Sequence, residues 1–267
     1  MGNIIKCYDA ELNVLTTSIR LASVKYLKTT LKYEKKENEL GVFDLVTDAD
    51  LNAEKIMKEY ISSKYPNDHF FCEESNNEAI GNGRTWVIDP IDGTLNFVKK
   101  IPLFGTQAAL LENGEVVVSA IYLPSTDEMY TAIKGRGAFL NDCPIKISDT
   151  ENLIDCVMSI GDYSKGSIPF RKNQSSLMDA AYNHIARIKM IGASSYDFAL
   201  FSSGRTDIHV RFVRNPWDFM PGFLISTEAG GVYDEELYEK YRLFIIANRH
   251  HILSDFRKSV IDKMKFE

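Results

Sequence analysis

From about Thr150 onward the chain alternates between short strand-forming runs and helical stretches, and this alternation constrains the fold more than any other feature. A strand over Cys156–Ile160 leads to a helix over Gln174–Ile185 and a strand over Arg187–Ile191. A helix (Ser194–Ser203), a strand (Asp207–Val213), a helix (Trp217–Ala229) and a last strand (Leu243–Ala247) follow. Such alternation belongs to α/β layering, in which helices cover the faces of a sheet. Ahead of Thr150 the pattern is different. Leu12, Leu15, Ile19, Ala22 and Tyr26 recur at steps of three and four, which predicts an amphipathic helix from Asp9 to Lys32. A second helix is expected over Asp50–Tyr65, stopped by Pro66 and Asn67. The run "ALLENGEVVVSAIYLP" reads as a hairpin turning at Asn113-Gly114, and "MYTAIKGRGAFLNDCPIKIS" offers two more strands. The reading is an α+β half (1–150) followed by an α/β half (151–267). No Pro/Gly/Ser-rich linker separates them, so they are expected to pack as one body.

The formal net charge of −6 and the absence of any long Lys/Arg block disfavour a nucleic-acid partner. The mixed-sign run "YEKKENE" (Tyr33–Glu39) reads as a solvated loop or helix end. Cys7, Cys72, Cys143 and Cys156 form no Cys-x-x-Cys pair, and they are expected to be buried free thiols in a reducing, cytoplasmic setting. No apolar run reaches the ~20 residues of a membrane span, and no membrane partner is expected.

Carboxylates gather at four junctions: "DLVTDAD" (Asp44–Asp50), "CEES" (Cys72–Ser75), "DPIDGT" (Asp89–Thr94) and "PWD" (Pro216–Asp218). In the third, Val87 and Ile88 make a strand that Pro90 is expected to end at Asp89. Asp92-Gly93-Thr94 then opens a helix whose first amides can meet a phosphate oxygen. Each junction also admits a structural reading. Asp-Pro and Asp-Gly are ordinary turn dipeptides. Asp48 or Asp50 suits a helix N-cap. Glu73-Glu74 suits a helix start, and so does Asp218. Four such junctions together favour a cation site, and hard oxygen donors without His or Cys point to Mg²⁺, with Mn²⁺ or Ca²⁺ as the other candidates. Paired carboxylates suit two ions ~3.5–4 Å apart acting on a phosphate. The rival reading of "DGTL" as an aspartyl-nucleophile phosphatase motif fails, because the position two residues before Asp92 is Pro90. Ser194-Ser195 lacks a Gly-x-Ser-x-Gly elbow, and no Walker loop is present.

"WVIDPIDGTLNF" (Trp86–Phe97) and "WDFMPGFLISTEAGG" (Trp217–Gly231) resemble the two signatures of the inositol monophosphatase family, with "DLVTDAD" and "EES" at the family's intervals before the first. The resemblance implies a layered αβαβα sandwich of the inositol monophosphatase/fructose-1,6-bisphosphatase type, commonly a homodimer. It implies hydrolysis of a small-molecule phosphate monoester by two-metal activation of water, with Mg²⁺ required (two to three ions) and Ca²⁺ and Li⁺ inhibitory. Carried over by motif, Glu73, Asp89 and the Ile91 carbonyl hold one ion; Asp89, Asp92 and Asp218 hold a second; Glu73 holds a weaker third through water. Thr94 with Asp50 orients the attacking water, the Gly93 and Thr94 amides bind the phosphate, and the turn Gly192-Ala193-Ser194 faces the substrate. One position departs from the pattern: Arg211 stands seven residues before Asp218, where inositol phosphatases often carry a Glu that meets inositol hydroxyls. An arginine pointing into the site favours a substrate with a second anionic group; the alternative is that Arg211 faces solvent or pairs with a neighbouring acid, since a one-residue change of register along "DIHVRFV" flips its face. The implied substrates are inositol 1-phosphate first, then fructose 1,6-bisphosphate, 3′-phosphoadenosine phosphates or histidinol phosphate. A reading of another class is a non-catalytic binding protein on the same fold.

Overall fold

The computed structural model describes residues 7–28, 33–37, 43–75, 80, 82–163, 168–213 and 215–266. In chain order the first elements are α1 (Asp9–Tyr26), β1 (Tyr33–Glu37), β2 (Phe43–Thr47), α2 (Asp48–Ser62), β3 (His69–Cys72), β4 (Arg84–Asp92) and α3 (Thr94–Val98). Then come β5 (Gly105–Glu112), β6 (Glu115–Leu123), β7 (Glu128–Ile133), β8 (Ala138–Leu140) and β9 (Cys143–Ile145). The last part holds β10 (Val157–Ile160), α4 (Ile168–Ala181), β11 (Arg187–Met190), α5 (Ser194–Ser202), β12 (Ile208–Phe212), α6 (Met220–Glu228), β13 (Val232–Tyr233), α7 (Glu235–Tyr241), β14 (Leu243–Ala247) and α8 (His250–Ser259).

These elements stack as the αβαβα sandwich. Strands β3 to β9 lie side by side in one seven-stranded sheet, antiparallel except for the β3–β4 pair. A five-stranded sheet has the order β11-β10-β12-β14-β13, parallel around β10 and antiparallel around β14. Strand alternation sorts the side chains between layers. On β4, Trp86 and Ile88 join Leu15, Ile19, Met57 and Ile61 from α1 and α2, whereas Val87 turns the other way to Trp217. On β14, Leu243, Ile245 and Ala247 pack with Leu177 of α4 and Ile252 and Phe256 of α8. Phe244 and Ile246 of the same strand face inward, to Phe198 of α5 and Ile225 of α6, which also meet Ile121 and Tyr130 of the seven-stranded sheet. Helices α5 and α6 therefore form the middle layer, between the two sheets. On β12, Ile208 and Val210 belong to the outer core. His209 and Arg211, being out of phase with them, point to the middle layer.

Several expectations need correction. Residues Tyr33–Glu37 are a strand paired antiparallel with Phe43–Thr47, not a loop or helix end; positions 38 and 39 of that run lie outside the described residues. Helix α1 ends at Tyr26; residues 29–32 of its expected span lie outside the described residues. Helix α2 starts two residues earlier than expected because Thr47, not Asp48 or Asp50, caps it, with Asp50 closing a capping box from the N3 position. Pro90 does not end β4: the strand runs on to Asp92 through a register shift between Asp89 and Asp92, a bulge that absorbs the missing amide. Glu73-Glu74-Ser75 form a turn after β3 rather than a helix start. Asp218 lies in the turn ahead of α6, whose N-cap is Phe219. The stretch "MYTAIKGRGAFLNDCPIKIS", expected to hold two strands, holds three: most of β7, then β8 and β9. Helix α4 begins at Ile168, six residues before its expected start, and ends at Ala181. All four cysteines are free, yet Cys7 and Cys143 are exposed; only Cys72 and Cys156 are buried. The Asn113-Gly114 hairpin is as expected, with φ of 54° and 82° at the two turn residues. Among the described residues no helix is long and apolar enough to cross a membrane.

Candidate active site and metal centre

The alternation that sends Val87 toward Trp217 sends Asp89, two residues on, in the same direction. Trp217 carries Asp218 next to it, so the end of β4 and the turn before α6 are brought together. The bulge then lets Asp92 join them: carboxylate oxygens of Asp89, Asp92 and Asp218 all lie within 4.8 Å of one another. Asp89 and Asp92 are buried, and Asp218 is partly so.

Strand β5 shapes this cluster from the side. Gln107 pairs with Asp89 across the β4–β5 ladder and donates from Nε2 to Asp89 Oδ2 at 3.1 Å. The same Nε2 donates to Ser194 Oγ at 2.7 Å, and Ser194 Oγ donates to Asp92 Oδ1 at 3.0 Å. Ser195 gives Asp92 Oδ2 two further donors, its backbone N–H at 2.6 Å and its Oγ at 2.5 Å. Gly105, opposite Asp92 in the ladder, makes room for this: a Cβ there would lie 2.6 Å from Ser195 Oγ. Asp92 is thus held in one orientation by the first turn of α5.

Asp89 is treated differently. Its Oδ1 is buried and has no hydrogen-bond partner among the described residues. Burial, then the charges of Glu73, Asp92 and Asp218, push its carboxyl well above the usual range, against the donor from Gln107. Burial and Asp218 also raise Asp92, offset in part by Ser195 and Arg211. A buried carboxylate oxygen facing other carboxylates costs free energy unless a cation meets it. The donor set is all oxygen, the carboxylates converge, and one oxygen is unpartnered; these residues fit a hard divalent ion. Glu73 lies outside the three-carboxylate group but close enough for its charge to act on Asp89, and its backbone N–H is held by Ile88 O at 3.1 Å.

On the far side of the bulge, Thr94 Oγ1 donates to Ile91 O at 3.1 Å and stands 3.4 Å from Asp50 Oδ1. Asp50 Oδ2 accepts from Thr47 N and Thr47 Oγ1, which fixes the carboxylate with Oδ1 facing Thr94. Burial raises the Asp50 carboxyl to about 6. Gly93 adopts φ 84°, a left-handed conformation that glycine takes without strain. A side chain there would also meet Ala193 Cβ at 3.0 Å and Gly192 O at 3.4 Å. Asn96 ties the two turns together, donating to Leu103 O at 2.7 Å and Ile191 O at 3.0 Å. Gly192 and Ala193 therefore flank the start of α3, while the Ser194 side chain is buried and engaged by Asp92 and Gln107.

Arg211 points into the site. Its Nη2 lies 3.3 Å from Asp218 Oδ2. Burial lowers its pKa, but the charges of Asp218, Asp92, Asp197 and Asp162 outweigh this and leave it raised. Behind it are two groups that the sequence reading did not use. Asp197, in the first turn of α5, is fully buried, and neither of its carboxylate oxygens has a hydrogen-bond partner among the described residues. Burial pushes it well above the usual carboxyl range, with Asp92 and Asp162 adding to this; Arg211 and, more weakly, the nearby Ser159 hydroxyl pull it back down. His209 is buried against Phe198 and Phe244, with Nδ1 2.8 Å from Ser159 Oγ. Burial, then Arg211, holds its pKa down at about 3. Gln107 and Asp197 were missed for different reasons. A lone glutamine beside the apolar run "AALL" was a signal for Gln107, but its partner depends on strand register. Asp197 looked like any acid in the first turn of a helix.

A two-sheet αβαβα sandwich with an acidic cluster at the end of a strand and a capped hydroxyl–carboxylate pair beside it defines a class of metal-dependent phosphatase folds. The sequence pattern described as the inositol monophosphatase family matches residues 10–255, and the chain belongs to that family. It is 39% identical over 198 residues to an inositol monophosphatase of Dictyostelium discoideum, covering 72% of each chain. It is 34% identical over 196 residues to a fructose-1,6-bisphosphatase/inositol-1-monophosphatase of Thermotoga maritima, covering 73% of each. Among solved structures, the extragenic suppressor protein suhB of Bartonella henselae superposes with a TM-score of 0.84 at 29% identity, over 96% of this chain and 100% of that one. The chain is accordingly a phosphate monoester hydrolase.

Proposed function

We propose that the protein hydrolyses a small phosphate monoester of the inositol 1-phosphate type with Mg²⁺ held by Glu73, Asp89, the Ile91 carbonyl, Asp92 and Asp218. The observation that supports this most directly is the buried, unpartnered Asp89 Oδ1 set among two further carboxylates. When bound, two or three such cations supply positive charge against the phosphate and the leaving oxygen and acidify water. The chain's own groups do the rest. Thr94 Oγ1 and Asp50 Oδ1 form a pair that orients a water and takes up its proton; with a pKa of about 6, Asp50 is mostly ionised at neutral pH and able to accept one. The Gly93 and Thr94 amides at the start of α3 face the phosphate, and the Gly192-Ala193 turn shapes the alcohol side. Gln107, Ser194 and Ser195 are positioning residues, which act through Asp89 and Asp92. A second reading is a substrate with a second anionic group such as a bisphosphate; it needs Arg211, which is paired with Asp218 here, to turn to that group instead. The free thiols fit a cytoplasmic setting, and a homodimer is the assembly in keeping with the family.

The test is phosphate release by the EDTA-treated chain, titrated with Mg²⁺, on inositol 1-phosphate, fructose 1,6-bisphosphate, histidinol phosphate and 3′-phosphoadenosine phosphate. Activity should require Mg²⁺ and fall with Ca²⁺, whose longer bonds misplace the reacting groups, and with Li⁺. Full activity without metal would overturn the proposal, and so would no release from any ester. Preference for the bisphosphate would select the second reading.

A further inference from the structure

The acid cluster already has one cation beside it, and that cation belongs to the chain. Arg211 Nη2 sits 3.3 Å from Asp218 Oδ2, the outermost carboxylate of the three. Asp218 is also among the residues proposed above to hold a divalent ion, and the inference that follows rests on that reading. An ion and a guanidinium cannot both have that carboxylate at full strength: they are like charges, and at a few ångströms in a partly buried site their repulsion is large. The arginine must then have somewhere else to go. Solvent is a poor choice, since the side chain is mostly buried and runs past Gly161 at the end of β10, where a Cβ would lie 3.8 Å from Arg211 Cγ.

The middle layer holds a better one. Asp197 is fully buried, and both of its carboxylate oxygens lack a hydrogen-bond partner among the described residues. It stands on the first turn of α5, the helix that packs against β12: Phe198, its neighbour, meets His209 at 4.7 Å. His209 and Arg211 are two apart on β12 and share that face. A fully buried carboxylate with no charged partner, helped only by the nearby Ser159 hydroxyl and standing next to an arginine that is bonded elsewhere, is a costly arrangement that a bidentate pair would relieve. Asp162 also feels Arg211, but it is engaged in polar contacts of its own.

We propose that Arg211 is the resident cation of this site: it pairs with Asp218 while no metal is held there, and it passes to Asp197 when a divalent ion takes Asp218, so that metal binding and the arginine's transfer are one exchange. The exchange makes the affinity of the Asp92–Asp218 ion depend on Asp197, a residue that touches neither the ion nor the substrate. It also gives the free enzyme a countercharge that keeps its carboxylates together.

The test is Mn²⁺ binding to the full-length chain, counted as free Mn²⁺ by electron paramagnetic resonance, in wild type, Arg211→Gln, Asp197→Asn and the double variant. Arg211→Gln should tighten the weaker ion about tenfold, since a competing cation is gone. Asp197→Asn should loosen it about fivefold in the wild-type background and by less than about twofold when Arg211 is already Gln. Both single effects also follow from charge acting through space, so the double variant decides. An Asp197→Asn effect of equal size in both backgrounds, or none in either, would overturn the exchange while leaving the metal site in place. Absence of Mn²⁺ binding to wild type would overturn both. Asp197→Ser serves the same comparison should the Asn variant not fold.

Discussion

Two buried aspartates in this chain have opposite surroundings. Asp207, just ahead of β12, accepts from Ser148 Oγ at 2.5 Å and Thr150 Oγ1 at 2.6 Å on one oxygen and from the Val157 amide at 2.7 Å on the other. Every donor is neutral, and they come from the segment that joins the two sheets. Asp89, on β4, has one neutral donor, one open oxygen and three acids acting on it. Burial alone does not separate them, because both are nearly inaccessible. What separates them is the company each oxygen keeps. A carboxylate saturated by neutral donors is a structural clamp; one left open among like charges is suited to a cation.

The largest effect should come from Asp89→Asn. It removes the one carboxylate proposed to meet both of the stronger ions. Turnover at saturating Mg²⁺ should fall by a factor of about 10³ or more, roughly 4 kcal/mol of barrier. The metal-free protein should be as stable as wild type or slightly more so, since one of the mutually repelling acids is gone. Steady-state rates and urea denaturation in EDTA check both halves. Retained turnover with lost stability would place Asp89 in the same category as Asp207 and break the comparison.

How much of this could be read beforehand differs by residue. Acid-bearing strand ends and helix starts are local patterns, so the residues themselves pointed to a cation site, but the αβαβα layering and the grouping of Asp89, Asp92 and Asp218 came from the resemblance alone. The bulge at Pro90 came from neither, since nothing local says whether a proline ends a strand or bends it. Thr47 as the cap of α2 was also hidden: Thr, Asp and Asp are all good caps within four residues of one another, and the choice falls to whichever closes a box with its N3 partner. That choice matters, because it leaves Asp50 Oδ1 pointing at Thr94. The pairing of Arg211 with Asp218 required the face of β12, and a one-residue change of register would have reversed it.

A second prediction uses pH to sharpen the same contrast. Asp50 has a folded pKa of about 6, above its unfolded value near 3.8, so the folded state holds this proton more tightly. Its contribution to stability is therefore greatest in acid and is lost as pH rises through about 6, by about 3 kcal/mol in total. His209 acts in the opposite sense. With a folded pKa of about 3 against 6.5 unfolded, it favours the folded state above pH 6.5 and takes that stability away as pH falls. Between about pH 6 and 4 the two slopes oppose each other. Asp50→Asn should unmask the histidine: in EDTA, the variant's stability relative to wild type should fall by up to about 3 kcal/mol from about pH 7 to pH 4. Urea denaturation at several pH values across that range measures this. Parallel curves would mean that Asp50 titrates normally and that its burial has no electrostatic cost.

The smallest expected effect is the one that completes the comparison, Asp207→Asn. An amide keeps the shape of the side chain but offers one accepting oxygen instead of two. Three donors now meet it: two hydroxyls on one side and the Val157 N–H on the other. The hydroxyls can rotate to accept from the new NH₂ group, while a backbone amide cannot. The substituted side chain should therefore turn its oxygen to Val157 and lose the charge-assisted strength of the two hydroxyl bonds, at a cost of about 2 kcal/mol. Because the clamp joins the 148–157 segment to the start of β12, the loss should appear in global stability, measured by urea denaturation. The rate per folded molecule should change less than about twofold, and Mn²⁺ affinity should not change at all. The expected pattern is thus the mirror image of Asp89→Asn, stability lost and chemistry kept. A fall in metal affinity here would mean that the two aspartates are coupled through β12 and Arg211, and that the clamp belongs to the site as well as to the fold.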